Sequence, residues 1–160
     1  VHMAGEKYQH FDLYYIEKNS ETYYHSVIDS YLEDVLRLAR WGRFSVLGHL
    51  TLPLRYLNEN LGEHVTFDGH YDQCREIFRT LIENGCGIEC NTNRGNTPLP
   101  DAPLLRLYRQ QGGEIITLGS DAHSAEYVGC CIRERQELLR ECGFRYFCTF
   151  EGGKPTFRKL

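Results

Sequence analysis

An aspartate and a histidine lie two positions apart in the segment LGSDAHS (residues 118–124), at the end of the apolar run IITLG. Placing Asp121 and His123 beside a hydrophobic segment costs free energy unless they have partners, so their position indicates a functional role. His49 follows a second apolar run, FSVLG. Imidazole and carboxylate together are typical ligands of Zn, Mn or Fe. The pattern therefore predicts a divalent metal site, although D-x-H alone also occurs in ordinary helix-capping loops.

Short apolar runs alternate with amphipathic helical patterns along the chain, which predicts an α/β fold with parallel strands and outer helices. We expect strands at 44–48, 86–90, 115–119 and 145–150, and helices at 19–40, 70–84, 102–111 and 130–142. Parallel strands end at the same edge of their sheet, where α/β proteins build their sites. His49, Glu89, Asn91, Asp121 and His123 should therefore meet at that edge. His10, His25, His64 and His70 lie elsewhere, and we expect them on a helix surface or in polar loops.

The composition narrows the class of protein. The chain has 160 residues, 41% of them hydrophobic and 25% charged, as expected of one globular domain. A net charge of −4 gives no reason to expect nucleic acid as a partner, and no apolar run is long enough to span a membrane. The seven cysteines include no C-x-x-C pair, which predicts reduced thiols and a cytoplasmic protein. A small molecule is the expected partner.

Several segments resemble the PHP (polymerase and histidinol phosphatase) superfamily, and within it the histidinol-phosphatase branch. GSDAHS (119–124) resembles the closing motif, and VLGHLTLPLRY (46–56) resembles the segment in which GH is followed by an Arg-Tyr pair. IECNTN (88–93) resembles the E-x-N-T segment between those two. VHMAG (1–5) is compatible with the S-x-H segment, and the terminal YFCTFEGGKP is similar to the final strand. The resemblance spans nearly the whole chain with the order of the motifs intact.

This resemblance implies the C-terminal part of a distorted (β/α)7 TIM-like barrel that hydrolyses histidinol phosphate to histidinol and phosphate in histidine biosynthesis. It implies four metal ligands, which are His2, His49, Asp121 and His123. They would hold divalent ions such as Zn, Mn or Fe, up to a trinuclear cluster in the intact fold. Arg55 and Arg94 would contact the substrate phosphate, which suits the bidentate grip of arginine. Asp121 and His123 would also be catalytic, through proton transfer.

The chain departs from the family pattern at its start. Family members open with an H-x-H strand and further ligands, whereas this chain begins with Val1 and has its first methionine at Met3. We expect residues 1–160 to be one partial PHP domain that lacks the N-terminal metal-ligand strands and is inactive, or nearly so, alone. An open sheet edge would be exposed, and a homo-oligomer is one way to cover it. Two alternatives stay open: a PHP phosphoesterase for another phosphate ester, and a non-catalytic α/β binding domain with a vestigial site.

Overall fold

A parallel sheet of three strands lies at the centre of the chain in a computed structural model that describes residues Val1 to Leu160. The strands are β1 (Val46–Leu47), β2 (Gly87–Asn91) and β3 (Ile116–Gly119), in the spatial order β1-β2-β3. Val46 pairs with Gly87, and Ile88 pairs with Ile116. The predicted α/β class with parallel neighbouring strands is confirmed for these three strands.

Five α-helices connect and flank the strands. They are α1 (Glu21–Trp41), α2 (Leu52–Leu54), α3 (Tyr71–Glu83), α4 (Ala102–Gln110) and α5 (Ile132–Glu141). The first helix begins where the Ser20 hydroxyl accepts a hydrogen bond from the Tyr23 N–H, and it ends at Gly42, whose φ is 61°. None of the helices combines the length and the apolarity that crossing a bilayer requires.

Two buried tyrosines tie helices to the ends of strands. The Tyr31 hydroxyl on α1 donates to the Leu50 carbonyl oxygen at 2.9 Å, directly after His49. The Tyr108 hydroxyl on α4 donates to the Ile115 carbonyl oxygen at 3.0 Å, just before β3. Each ring is packed in the hydrophobic core while its polar tip is satisfied, so the contact fixes direction as well as distance. The Tyr31 hydrogen bond therefore attaches the loop that carries His49 to α1.

The fourth predicted strand does not join the parallel sheet. β4 (Tyr146–Glu151) pairs antiparallel with β5 (Lys154–Lys159), so the expectation of a parallel strand at 145–150 is wrong. Gly152 and Gly153 have φ of 56° and 76°, which permits the tight reversal of a two-residue hairpin. β4 thus finds backbone partners locally, although it lies near β3. The strands form an open sheet and a separate hairpin, not a closed barrel.

All seven cysteines are unpaired, and five of them are buried. Burial raises the pKa of Cys74 and of Cys90 to about 12, so both stay protonated at neutral pH. They pack as small apolar side chains of the core.

Gly87 leaves no room for a side chain where β1 and β3 flank β2. A Cβ at this position would overlap the backbone carbonyl of Ile115. Because paired strands cannot separate locally, we expect Gly87→Ala to lower the free energy of unfolding by about 3 kcal/mol. Urea denaturation followed by circular dichroism measures this change. Gly69→Ala is the matched control, since no atom lies within 4 Å of a Cβ there. An unchanged unfolding midpoint for Gly87→Ala would contradict the strand register.

Candidate active site

Arg55, in the segment after β1, joins polar side chains from the ends of β2 and β3. Its Nε donates to Asn93 Oδ1 at 2.8 Å, Nη1 donates to Asp121 Oδ2 at 2.9 Å, and Nη2 donates to Asn91 Oδ1 at 3.2 Å. Arg55 follows β1, Asn91 ends β2 with Asn93 in the loop beyond it, and Asp121 follows β3. The Arg55 side chain is only 12% exposed. One guanidinium therefore holds the carboxyl edge of the whole parallel sheet together.

The backbone changes from α-helix to π-helix at this arginine. α2 is continued by the π-helical segment Arg55–Asn60, and the N–H of Leu61 bonds back to the Tyr56 carbonyl at 3.2 Å. A π-helical turn changes the angle between successive side chains, and such turns are frequent at functional sites. Arg55 is the first residue of this turn, and its side chain contacts residues at the ends of β2 and β3.

Asp121 stays ionised because Arg55 stabilises its charge. Burial alone would raise the pKa of Asp121, but the hydrogen bond and positive charge of Arg55 outweigh burial and lower the pKa below its ordinary value. Oδ2 accepts from Arg55, whereas Oδ1 accepts no protein hydrogen bond. Asp121 has a left-handed φ of 49°, which aspartate tolerates better than most residues. One carboxylate oxygen is thus available to a cation.

His2 and His49 lie side by side, with ring centroids 5.0 Å apart and the rings edge to face. Burial lowers the pKa of both, and that of His49 falls to about 4. His49 Nδ1 is buried and has no hydrogen-bond partner in the chain. Both imidazoles are neutral at pH 7, which is the form that binds a metal ion.

His123 and Arg94 lie in loops at the same edge but outside the Arg55 network. His123 Nδ1 is 2.8 Å from the Asp121 carbonyl oxygen, which can only accept, so Nδ1 carries the hydrogen. The lone pair of the neutral ring is then on Nε2. The Arg94 guanidinium lies 5.2 Å from the centre of the Tyr127 ring, in a cation–π contact, and the residue is exposed. Both side chains remain accessible to a ligand.

The donors present fit a divalent metal in kind, although they do not form a complete cage. No group of three or more His, Cys, Asp or Glu side chains is close enough to hold a metal ion. The unpartnered Nδ1 of His49, the adjacent ring of His2 and the open Oδ1 of Asp121 are nevertheless a nitrogen and oxygen donor set. Such a set is typical of Zn, Mn or Fe sites. This chain thus offers part of a ligand set.

Glu89 and Asn91 connect the imidazole side of the site to Arg55. Glu89 Oε2 accepts from the His49 backbone N–H at 2.9 Å and from Asn91 Nδ2 at 3.1 Å. The carboxylate lies against Gly119, where any Cβ would overlap Glu89 Oε1. The strand pattern of the sequence predicts Glu89 and Asn91 at this edge without giving them a role. Gly119, the first residue of GSDAHS, is the feature of the sequence that permits this close packing of Glu89.

Two further features were not anticipated. Asn93 accepts a hydrogen bond from Arg55, and Glu59 accepts one from Asn93; nothing in their spacing in the sequence identifies them as site residues.

His70, expected in a polar loop, is buried. Its Nε2 lies 2.9 Å from His25 Nδ1, and its Nδ1 lies 2.9 Å from Asp29 Oδ1. That expectation is wrong because His70 attaches its loop to α1, a contact between residues that are far apart in sequence.

Comparisons with known proteins agree on one group of enzymes, although no protein-family model matches the chain. It is 31% identical over 133 residues to a probable histidinol-phosphatase of Thermotoga maritima, covering 81% of this chain and 54% of that protein. It is 27% identical over 144 residues to the histidinol-phosphatase of Lactococcus lactis, covering 88% and 52%. The chain thus spans about half the length of the curated relatives it matches.

A solved structure supports the fold. The crystal structure of the Lactococcus lactis histidinol phosphate phosphatase, in complex with Zn, L-histidinol and phosphate, matches with a TM-score of 0.68 at 20% identity. The match covers 92% of this chain and 58% of that one. The sequence and structure matches confirm the resemblance to histidinol-phosphatases, and their coverage fits a C-terminal portion of such an enzyme.

The half-buried, neutral His49 should make the stability of the metal-free chain depend on pH. Its folded pKa of about 4 lies below the ordinary value of 6.5, so between these values the unfolded chain takes up a proton that the folded chain does not. We expect the free energy of unfolding to fall as pH drops through this window. His49→Asn should flatten the dependence, and His64→Asn, at an exposed position, should not. Urea denaturation with a chelator measures the slopes, and equal slopes for wild type and His49→Asn would contradict the assignment.

Proposed function

We propose that this chain forms the C-terminal part of a metal-dependent phosphomonoesterase that hydrolyses histidinol phosphate to histidinol and phosphate. The similarity to histidinol-phosphatases supports the substrate. The observation that carries the chemistry is the Arg55–Asp121 ion pair at the carboxyl edge of the parallel sheet, with two imidazoles on the same edge. A fixed cation and a set of metal donors at one sheet edge suit the two needs of phosphate-ester hydrolysis, which are anion binding and charge neutralisation.

His2, His49, Asp121 and His123 are the proposed metal ligands. Each offers a suitable donor, since the imidazoles of His2 and His49 are neutral, His123 has its lone pair on Nε2, and Asp121 has one open oxygen. The zinc in the complex of the Lactococcus lactis enzyme supports a divalent ion. When bound, such an ion supplies Lewis acidity that activates water and offsets negative charge on the phosphoryl oxygens.

Arg55 and Arg94 are the proposed phosphate contacts. A guanidinium carries five N–H groups, and Arg55 uses one each on Nε, Nη1 and Nη2 within the protein. One N–H therefore remains on each terminal nitrogen, and a pair of such groups can bind two phosphate oxygens at once. Arg94 extends from the loop after β2 and is exposed, so it can approach the same anion from another side.

Asp121 and His123 are the proposed catalytic residues. During hydrolysis water attacks phosphorus, the bond from phosphorus to the histidinol oxygen breaks, and that oxygen takes a proton. His123 has one lone pair, on Nε2, which serves either metal binding or proton transfer; when it is not bound to the ion, it can accept a proton from water and return it to the leaving oxygen. Asp121 keeps its negative charge beside Arg55 and orients both the arginine and the His123 ring, the latter through its carbonyl oxygen.

The remaining parts of the site must come from outside these 160 residues. The open sheet, the partial donor set and the coverage of about half of each relative support a (β/α)7 barrel of which this chain is the C-terminal portion. The other strands would belong to a longer polypeptide that contains this chain, or to a second copy that covers the open edge. We therefore propose that residues 1–160 have little or no activity alone.

Asp121→Ala tests the metal site directly. We expect the longest natural polypeptide that contains these residues to release phosphate from histidinol phosphate when Mn or Zn is added. Removing an anionic ligand should reduce this turnover by at least about a hundredfold. Asp72→Ala is the control, because the Asp72 side chain is fully exposed. Full activity of Asp121→Ala would refute the metal site, whereas cleavage of other monoesters only would refute the substrate but not the class of enzyme.

Arg55→Ala tests the phosphate contact. Loss of a charge-assisted contact from a side chain that is only 12% exposed should weaken competitive inhibition by inorganic phosphate by roughly 2–3 kcal/mol, which is about 30- to 150-fold. Arg55→Lys should recover only part of this loss, since an ammonium group cannot make the bidentate contact. Arg133→Ala, at an exposed position of α5, serves as the control. An unchanged inhibition constant for Arg55→Ala would exclude Arg55 from phosphate binding.

A further inference from the structure

We propose that Asn93 and Glu59 are positioning residues that fix the orientation of the Arg55 guanidinium. The inference rests on the proposed role of Arg55 as the phosphate contact, and it adds the residues that decide how well this contact is prepared. Asp121 holds one terminal nitrogen by charge, and Asn91 accepts a longer hydrogen bond of 3.2 Å from the other. A partner on Nε completes the set of contacts that defines the plane of the guanidinium, and in this chain the partner is Asn93, at 2.8 Å.

The Asn93 amide is used at both of its ends. Oδ1 accepts from Arg55 Nε at 2.8 Å, while Nδ2 donates to Glu59 Oε1 and to the Thr97 carbonyl oxygen. Arg55 Nε can only donate, and the carboxylate and carbonyl oxygens can only accept, so a single orientation of the amide satisfies all three partners. Asn93 is 1% exposed, so the loss of a partner leaves a buried polar group unpaired. Glu59 therefore holds the amide, and the amide holds Arg55.

The loop is built to place this amide. Asn93 and Arg94 have φ of 49° and 55°, two successive left-handed residues. Asparagine adopts this conformation at lower cost than most side chains, and such strain concentrates at functional sites. The Asn93 backbone N–H donates to Asn91 Oδ1 at 2.9 Å, and the same oxygen accepts from Arg55 Nη2. The unusual backbone thus delivers the side chain to Arg55 and leaves its N–H satisfied.

Glu59 lies at the outer end of this chain of hydrogen bonds. It is exposed, and its second oxygen accepts from Asn96 Nδ2 at 3.1 Å. Glu59 and Asn93 line a cavity of about 550 Å³ that lies beside the Arg55 network. Glu59 is also on the π-helical segment that begins with Arg55. One short segment therefore carries both the arginine and the carboxylate that fixes its partner.

Exchanging the hydrogen-bonding groups of Asn93 and Glu59 tests the inference. Asn93→Asp keeps an acceptor for Arg55 Nε but places two carboxylates against each other at positions 93 and 59. The double variant Asn93→Asp with Glu59→Gln restores a donor opposite an acceptor and leaves the net charge of the pair unchanged. We expect the single variant to speed hydrogen exchange of Arg55 Nε–H by about tenfold, and the double variant to return it to within about threefold of wild type. Asn96→Ser, which removes only the outer contact of Glu59, should change little.

Two readouts separate this inference from the proposed function. Nitrogen-15 NMR of the 160-residue chain reports Arg55 Nε–H exchange without any ligand. In the longer natural polypeptide, Asn93→Asp should raise KM and the inhibition constant of inorganic phosphate about tenfold while kcat changes less than threefold, and the double variant should recover both. Unchanged exchange and KM in Asn93→Asp, or no recovery in the double variant, would overturn the inference. If Asn93→Asp fails to fold, Glu59→Ala removes the outer anchor without touching the left-handed backbone and decides the question by the same exchange measurement.

Lack of any phosphatase activity would refute the proposed function but would leave this inference untouched. In that case the Nε–H exchange still decides the inference, because it depends only on how firmly Arg55 is held. Faster exchange in Asn93→Asp that is reversed by Glu59→Gln supports it, and any other pattern refutes it.

Discussion

The ion pair between Arg55 and Asp121 is the interaction on which the rest of the site depends. Its two side chains are 12% and 26% exposed, so the pair is stable only if the other hydrogen-bonding groups of the guanidinium are well placed. The oxygens of Asn91 and Asn93 meet that requirement. As Asn91 and Asn93 lie at the end of β2 and Asp121 follows β3, satisfying one cation fixes both strand ends relative to the segment after β1.

Carboxylates behind the amides extend this arrangement to the edges of the sheet. Glu89 accepts hydrogen bonds from the Asn91 side-chain amide and from the His49 backbone N–H. Glu59 accepts one from the Asn93 side-chain amide. Each asparagine thus lies between the guanidinium and a carboxylate, which orients its amide in one direction. The Glu89 carboxylate fits only because residue 119 is glycine. Glu89 and Glu59 are thus linked to Arg55 through the asparagines, without a hydrogen bond to the arginine itself.

The open sheet is consistent with a site that has only part of its ligands. The three parallel strands and the N-terminal segment bring His2, His49, His123, Asp121 and Arg55 to the same edge. These groups do not surround a cation. The last predicted strand, β4, makes its backbone hydrogen bonds with β5 in a hairpin. Two consecutive glycines allow the chain to reverse its direction immediately after β4. In a larger assembly the exposed strand edges are where additional strands would pair.

The sequence by itself determined the alternation of strands and helices, the parallel order of β1, β2 and β3, and the residues at their carboxyl ends. These features follow from local hydrophobic periodicity and from the geometry of crossover connections. The resemblance of GSDAHS and the Arg-Tyr segment to histidinol-phosphatases was likewise visible in the sequence. The pairing of the last strand was not, because a short apolar run looks the same in a parallel sheet and in a hairpin.

Only the tertiary structure decided which side chains meet. Arg55 bonds to Asp121 across 66 positions and to Asn93 across 38, and His70 reaches His25 across 45. Such contacts depend on strand register and on left-handed residues such as Asn93 and Asp121, whose conformations the periodicity of the chain does not encode. Residue types at strand ends can therefore identify a candidate site, whereas the direction in which each side chain points follows from backbone geometry and from partners that lie far apart in the sequence.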